Sequence, residues 1–422
     1  MKSLNYFVFL LATALLPFPQ FILRPVVVAW LVTWLMEGRF LHRPQWQKTQ
    51  LPFILFAAWF LLNALSALWA SDIHLVGRQL ERYLAFLLLL PVGIWGVNEH
   101  YDWKKIYRVL VISSLLSVGV FLLAAYWCRN ANDFLVNNGR FCATVPDLNY
   151  ICSIMCLFKH RLYYGTILLL AMFASICLHT DRVQRYGAVI AWIQTIAICA
   201  IFIGALLLSG SRANLFAGVI LAVVAIIMTL RNHHRKIITI SVIALGLFAI
   251  IAAAFLHPRM QNIEQEPRLQ IWQFALETPA DYSLHGLGAG QSVPYLVERY
   301  EQTQLTHFIN HRYNVHNQFL NEWMELGIGG LLLFLAAWGS ILFCCEKAKR
   351  KSATLMVVLF GMNMLTECVF GRFDGIAIWA ISMIVILLVP AMPISSRVDS
   401  VNGDLPPRKS ANLFLLLVLQ TI

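Results

Sequence analysis

His316 and Asn317 open a run that continues through Glu322, Glu325 and Gly327 directly into a long apolar segment. A histidine placed there stands about two and a half helical turns before the apolar segment begins. An imidazole can take a proton from an alcohol near neutral pH, a role worth about 10² to 10⁴ in rate. A loop histidine that merely caps the helix accounts for the same run. Two arginines suggest phosphate chemistry, because a planar guanidinium makes two charge-assisted hydrogen bonds to a phosphate. Arg212 ends Ser209-Gly210-Ser211-Arg212, between two apolar runs; the plain alternative is an arginine that snorkels to cap a helical hairpin. Arg268 follows Pro267, which suits the first position of a helix, so free backbone amides there also favour an anion. A surface salt bridge from Arg268 to Glu264 or Glu266 is the alternative. Leu269, Trp272, Leu276 and Phe274 give that helix an apolar face suited to a membrane surface.

Glu367 falls inside an apolar run and is followed by Arg372 and Asp374. A carboxylate in such a run is a functional candidate by default, with Arg372 or Arg212 as its partner, unless it serves a structural ion pair. Two other patterns are weaker. The glycine-rich His285-Gly286-Leu287-Gly288-Ala289-Gly290 is similar to an anion-cradling loop but lacks a preceding strand, so it reads as a turn. His307, His311 and His316 are spaced by four and five with no cysteine beside them, which does not favour a metal site.

The elements that must position these residues are membrane helices. The 422 residues are 59% hydrophobic and 13% charged, about half the charged fraction of a soluble domain. Strands of a membrane barrel would alternate over segments of about ten residues, and none do. The net charge of +11 needs no nucleic acid to explain it, because positive charge collects on cytoplasmic loops. The apolar run at residues 4–16 is followed by Leu16-Pro17-Phe18-Pro19 rather than a small-residue cleavage site, and reads as a retained first span. Nine scattered cysteines show no zinc or haem spacing; Cys128 and Cys142 are either two free thiols or a disulfide.

One stretch, residues 257–327, is polar and too long to be a simple connection. It carries four arginines, no lysine, eight carboxylates and five of the twelve histidines. Basic clusters at Arg231, Arg235 and Lys236, and at Lys347, Lys349, Arg350 and Lys351, anchor their loops in the cytoplasm and place 257–327 outside. Counts from the two ends agree only if the weak run 148–158 does not cross. The expectation is therefore twelve spans with both termini inside: nine in a membrane domain at 1–256, the outer loop at 257–327, three more at 328–391, and a cytoplasmic tail at 392–422.

His316, Asn317, nine residues, Gly327, two residues and Gly330 together resemble the signature of bacterial O-antigen ligases, His-[Asn/Ser/Gln]-x9-Gly-x2-[Gly/Thr/Tyr]. Ser211-Arg212 at a span end, Arg268 before a Trp-containing helix, and Thr366-Glu367 in a late span are similar to other recurrent features of that superfamily. O-antigen polymerases and protein O-oligosaccharyltransferases share these last features. The resemblance implies an all-α polytopic membrane protein of about twelve transmembrane helices, similar to GT-C-type glycosyltransferases, in the bacterial inner membrane with its site on the periplasmic side. It implies transfer of a polysaccharide from undecaprenyl diphosphate to a sugar hydroxyl of the lipid A core, with inversion and without cofactor or metal.

On that reading Arg212 and Arg268 hold the diphosphate, and His316 deprotonates the acceptor. Glu325 or Glu367 orients His316 or an arginine. Asn317, Arg372, Arg78 and Arg82 complete the substrate side. The expected partners are the lipid-linked donor, the lipid A core and membrane lipids, with no nucleic acid. A polymerase or a protein glycosyltransferase of the same superfamily is the alternative. A lipid or polysaccharide transporter fits less well, because transporters place polar groups at the membrane midplane and these candidates gather at the outer face.

Overall fold

Inside a bilayer no water is available to backbone amides and carbonyls, so an apolar chain must satisfy them within its own helices. The computed structural model describes residues 1–130, 159–227, 267–277 and 282–391. Every regular element among them is helical, and no strand occurs. The expected non-crossing run 148–158, most of the loop around Cys142, the span at 237–256 and the tail 392–422 lie outside the described residues.

The helices are α1 (Lys2–Leu15), α2 (Gln20–Met36), α3 (Leu51–Leu65), α4 (Ile73–Trp95), α5 (Trp103–Asn130), α6 (Arg161–Cys177), α7 (His179–Tyr186) and α8 (Ala188–Leu208). They continue as α9 (Arg212–Ile227), α10 (Pro267–Glu277), α11 (Ser292–Gln302), α12 (Thr306–His311), α13 (Gln318–Cys344), α14 (Arg350–Met364) and α15 (Phe373–Leu387). Against the twelve spans expected, the described residues supply five helices long and apolar enough to cross a membrane. Counting α6 and α7 as one span bent by 45° makes six. Three more apolar helices, including α1 and α15, fall short of crossing length. The chain is a multi-pass membrane protein.

Among the described residues two apolar cores result. The larger lies among the membrane helices, where Phe56, Trp59, Phe86, Phe334, Phe370 and Trp379 pack ring against ring. The smaller belongs to the polar stretch: Ile271, Ala275, Tyr282, Leu296, Tyr300, Phe308, Val315 and Met324 bury one another, so α10 to α12 fold onto the first half of α13. In α10 the buried residues are Ile271 and Ala275, while Leu269 and Leu276 stay exposed. The apolar face expected from Leu269 and Leu276 is thus the outward one.

α13 is broken at Gly327, where φ is +66°. A side chain there would meet the Leu284 carbonyl oxygen at 2.2 Å, so both the conformation and the space require glycine. Leu287 and Gly288 donate their amides to the carbonyls of Met324 and Glu325, just before the break, and Ile328 donates to Ser283. Ala289 donates to Ser66 Oγ at the end of α3. The amides of the glycine-rich stretch are therefore spent on protein acceptors. It is a strut that clamps the break in α13 to the α3–α4 turn.

The apolar run that holds Glu367, residues 353–370, lies in the region 328–391 expected to supply the last three spans, but its helix ends at Met364. Asn363 O accepts both the amide and the hydroxyl of Thr366, and the Phe370 amide goes to Gln318 Oε1 at 3.0 Å. Glu367 therefore sits in the turn after α14, outside the helix.

That turn is held by the start of α6. Lys159 Nζ meets Asp374 Oδ1 at 2.6 Å with side chains 1% and 8% exposed, and also donates to the Phe18 carbonyl. The Tyr163 hydroxyl donates to the Val369 carbonyl, and Asn214 Nδ2 of α9 donates to the Leu162 carbonyl at 2.7 Å. Removing one partner of a buried ion pair strands the other charge, a loss of about 3–5 kcal/mol. Asp374→Ala should therefore lower the thermal midpoint of the detergent-solubilised protein sharply, and Lys159→Met with Asp374→Leu should restore most of it. An unchanged midpoint in the single variant would show the pair to be dispensable.

Candidate active site

His316 lies in the turn before α13 with φ +48°, a conformation that L-residues adopt at some cost. Two neighbours hold it there. Its own amide donates to Asn314 Oδ1 at 3.0 Å, and the following Asn317 caps α13 by accepting the Leu320 amide. The ring Nδ1 stands 3.0 Å from Glu367 Oε1, with side chains 23% and 12% exposed.

Burial pushes the Glu367 carboxyl up, but the His316 hydrogen bond and the neighbouring basic side chains of His316, His160 and Arg268 outweigh it, leaving the group below the ordinary carboxylate range. An ionised carboxylate only accepts, so Nδ1 carries the proton of this bond, and the neutral form of the ring has its lone pair on Nε2. Among the described residues no protein group bonds to Nε2. Asn317 lines a shallow apolar cleft of about 290 Å³ together with Trp272, Leu276, Phe319, Leu320 and Trp323.

Arg268 is brought in by α10. Trp272 Nε1 donates to the Val315 carbonyl at 2.8 Å, one residue before His316. Arg268 is one turn earlier on the same helix, hence on the same face as Trp272, and its charge reaches Glu367. Arg372 is exposed after the Val369–Gly371 turn and lies within electrostatic reach of His160. Arg212 opens α9, where Ser211 Oγ and the Leu162 carbonyl both accept from Asn214, fixing the α9 start beside the α6 start.

The remaining candidates lie apart from His316. Glu325 accepts from Ser292 Oγ at 2.7 Å and ties α11 to α13, so of the two carboxylates expected to orient His316 it is Glu367 that touches the ring. Arg78 and Arg82 line an exposed face of α4, Arg82 near Gln79. The next residue, Tyr83, lies beside Gln318, so that part of α4 belongs to the same end of the bundle.

Sequence reasoning passed over His160. It precedes α6 between the Lys159 anchor and Tyr163, and its charge is felt by Glu367. Burial holds its imidazole below the usual range, with Arg372 adding to the effect. Lys159-His160-Arg161 looks like an ordinary basic flank of a span; only the fold reveals that Asp374, 215 positions away, neutralises the lysine and leaves the histidine facing the site.

Residues 197–335 match the O-Antigen ligase family model, a range that takes in Arg212, Arg268 and the whole His316–Gly330 run. The chain is also 22% identical over 355 residues to the teichuronic acid biosynthesis protein TuaE of Bacillus subtilis, covering 78% of this chain and 68% of that protein. The family match and this distant relative, taken together, support membership of the O-antigen ligase/polymerase superfamily.

Proposed function

We propose that the protein is an O-antigen ligase that transfers a polysaccharide from undecaprenyl diphosphate to a sugar hydroxyl of the lipid A core, at the periplasmic face of the inner membrane. The observation that carries this reading is the His316 Nδ1–Glu367 hydrogen bond, which leaves Nε2 open as a base beside an arginine-bearing helix. The acceptor hydroxyl gives its proton to Nε2 as its oxygen attacks the anomeric carbon. The bond from that carbon to the diphosphate oxygen breaks on the opposite face, giving inversion, and the diphosphate leaves with the electron pair. Arg268 and Arg212 hold the diphosphate and stabilise the charge it gains, and Arg372, Arg78 and Arg82 add lipid-phosphate contacts.

The apolar cleft beside Asn317 suits a lipid chain arriving sideways from the bilayer. In this reading residues 257–327 form the outer loop, the domains at 1–256 and 328–391 supply the spans, and 392–422 faces the cytoplasm. No cofactor or metal takes part. A second reading, polymerisation on the same lipid donor, is favoured by one observation. The relative is named for teichuronic acid biosynthesis, not for ligation.

Purified lipid-linked polysaccharide incubated with lipid A core and EDTA should be transferred by the wild-type protein. His316→Ala should lose about 10² to 10⁴ in rate, and Arg212→Ala and Arg268→Ala should lose transfer while remaining folded. Chain lengthening in place of transfer would select the polymerase, and full activity in His316→Ala would sink the proposed base.

Glu367→Gln should slow transfer by about tenfold or more, less than His316→Ala. The folded Glu367 carboxyl lies below its ordinary value of 4.5, so its stabilising contribution is present above that value and fades as pH falls through the folded one. The difference in thermal midpoint between wild type and Glu367→Gln should then shrink in buffer well below pH 4.5. A difference undiminished in such buffer would contradict an ionised Glu367.

A further inference from the structure

At the end of the bundle remote from His316, a polar crevice of about 920 Å³ opens between the ends of α2, α3, α4 and α13. α13 starts at Gln318 beside the candidate site and its last residue, Cys344, lines this crevice. At 1.5 Å per residue the part of α13 after the break at Gly327, residues 328–344, covers roughly 26 Å, close to the hydrocarbon thickness of a bilayer. α3 and α4 run the same distance: Ser66 and Leu75 touch the glycine strut, while Gln50 and Gly93 line the crevice.

The acids and bases of the crevice are not alike. Glu99 is paired with Lys2, Glu37 accepts from Asn98, and Glu346 accepts from the Ala391 amide. Arg39 is held by the Trp95 carbonyl. His42, Arg43 and Lys48 also line the cavity, and among the described residues none of their side chains has a hydrogen-bond or ion-pair partner. The same loop exposes Phe40 (42%), Leu41 (77%) and Trp46 (70%). Aromatic and apolar side chains beside unpaired cations, at a helix-end loop, are the composition of a segment lying in the headgroup layer, where the aromatic ring enters the interface and the cations meet phosphates.

We infer that this crevice binds the headgroup of an anionic phospholipid of the leaflet opposite the transfer site, with Arg43 and Lys48 on the phosphodiester and Leu41 and Trp46 against its acyl chains. Nothing in this site depends on the transfer reaction.

The test is native mass spectrometry of the full chain in detergent, titrated with cardiolipin, with phosphatidylethanolamine, and with inorganic phosphate, alongside thermal midpoints. Wild type should retain cardiolipin and gain thermal stability from it, with at least tenfold weaker retention of phosphatidylethanolamine. Arg43→Gln with Lys48→Gln should lose at least tenfold in cardiolipin retention, Arg43→Lys with Lys48→Arg should recover most of it, and all should keep wild-type transfer. Equal retention of the two lipids, or equal cardiolipin retention by the glutamine variant, would overturn the proposal. So would inorganic phosphate competing as well as the lipid, which would make the crevice a free-phosphate site.

Discussion

The buried contact between Lys159 and Asp374 is the constraint on which the candidate site depends. Two ions taken out of water are stable only when each answers the other, so the pair fixes the start of α6 against the start of α15. From that junction the rest follows through short polar links. Tyr163 holds the turn carrying Glu367, Asn214 brings in the α9 start with Arg212, and Asn363 reaches Thr166 one turn further along α6. Chain segments from 52 to 215 residues apart thus meet at one helix end.

A second chain of buried polar contacts positions the histidine side. Trp59 donates to Glu322, Gln318 donates to the same carboxylate, and Gln318 accepts the Phe370 amide. These tie the first turn of α13 to the Glu367 turn from below, while the His316–Glu367 bond closes it from above. The break at Gly327 lets the first part of α13 lean onto the loop's own core while the second part continues along the membrane core.

Part of this was legible in the sequence. An apolar composition and helix-length runs give a multi-pass membrane protein, whereas a histidine with asparagine beside it at a helix start reads equally as a base or as a capping residue. The glycine eleven positions after His316 could be recognised as part of a pattern, but its reason, a left-handed residue pressed against the Leu284 carbonyl, is a matter of three dimensions. The helix in the run 353–370 ends early for a related cause: hydropathy does not register that Thr366 turns back on Asn363 and ends the helix. Glu367 over Glu325, and the approach of His160, were invisible because hydropathy and spacing carry no information about which distant segments meet.

The bond from Trp272 to the Val315 carbonyl has a mechanical meaning. It joins the helix that carries Arg268 to the backbone immediately before His316, so the cation and the imidazole ride on one lever. A displacement of α10 that pulls the arginine away also slackens the turn that holds the ring in its strained conformation. In the proposed reaction, grip on the leaving group and aim of the base would in this way be a single degree of freedom.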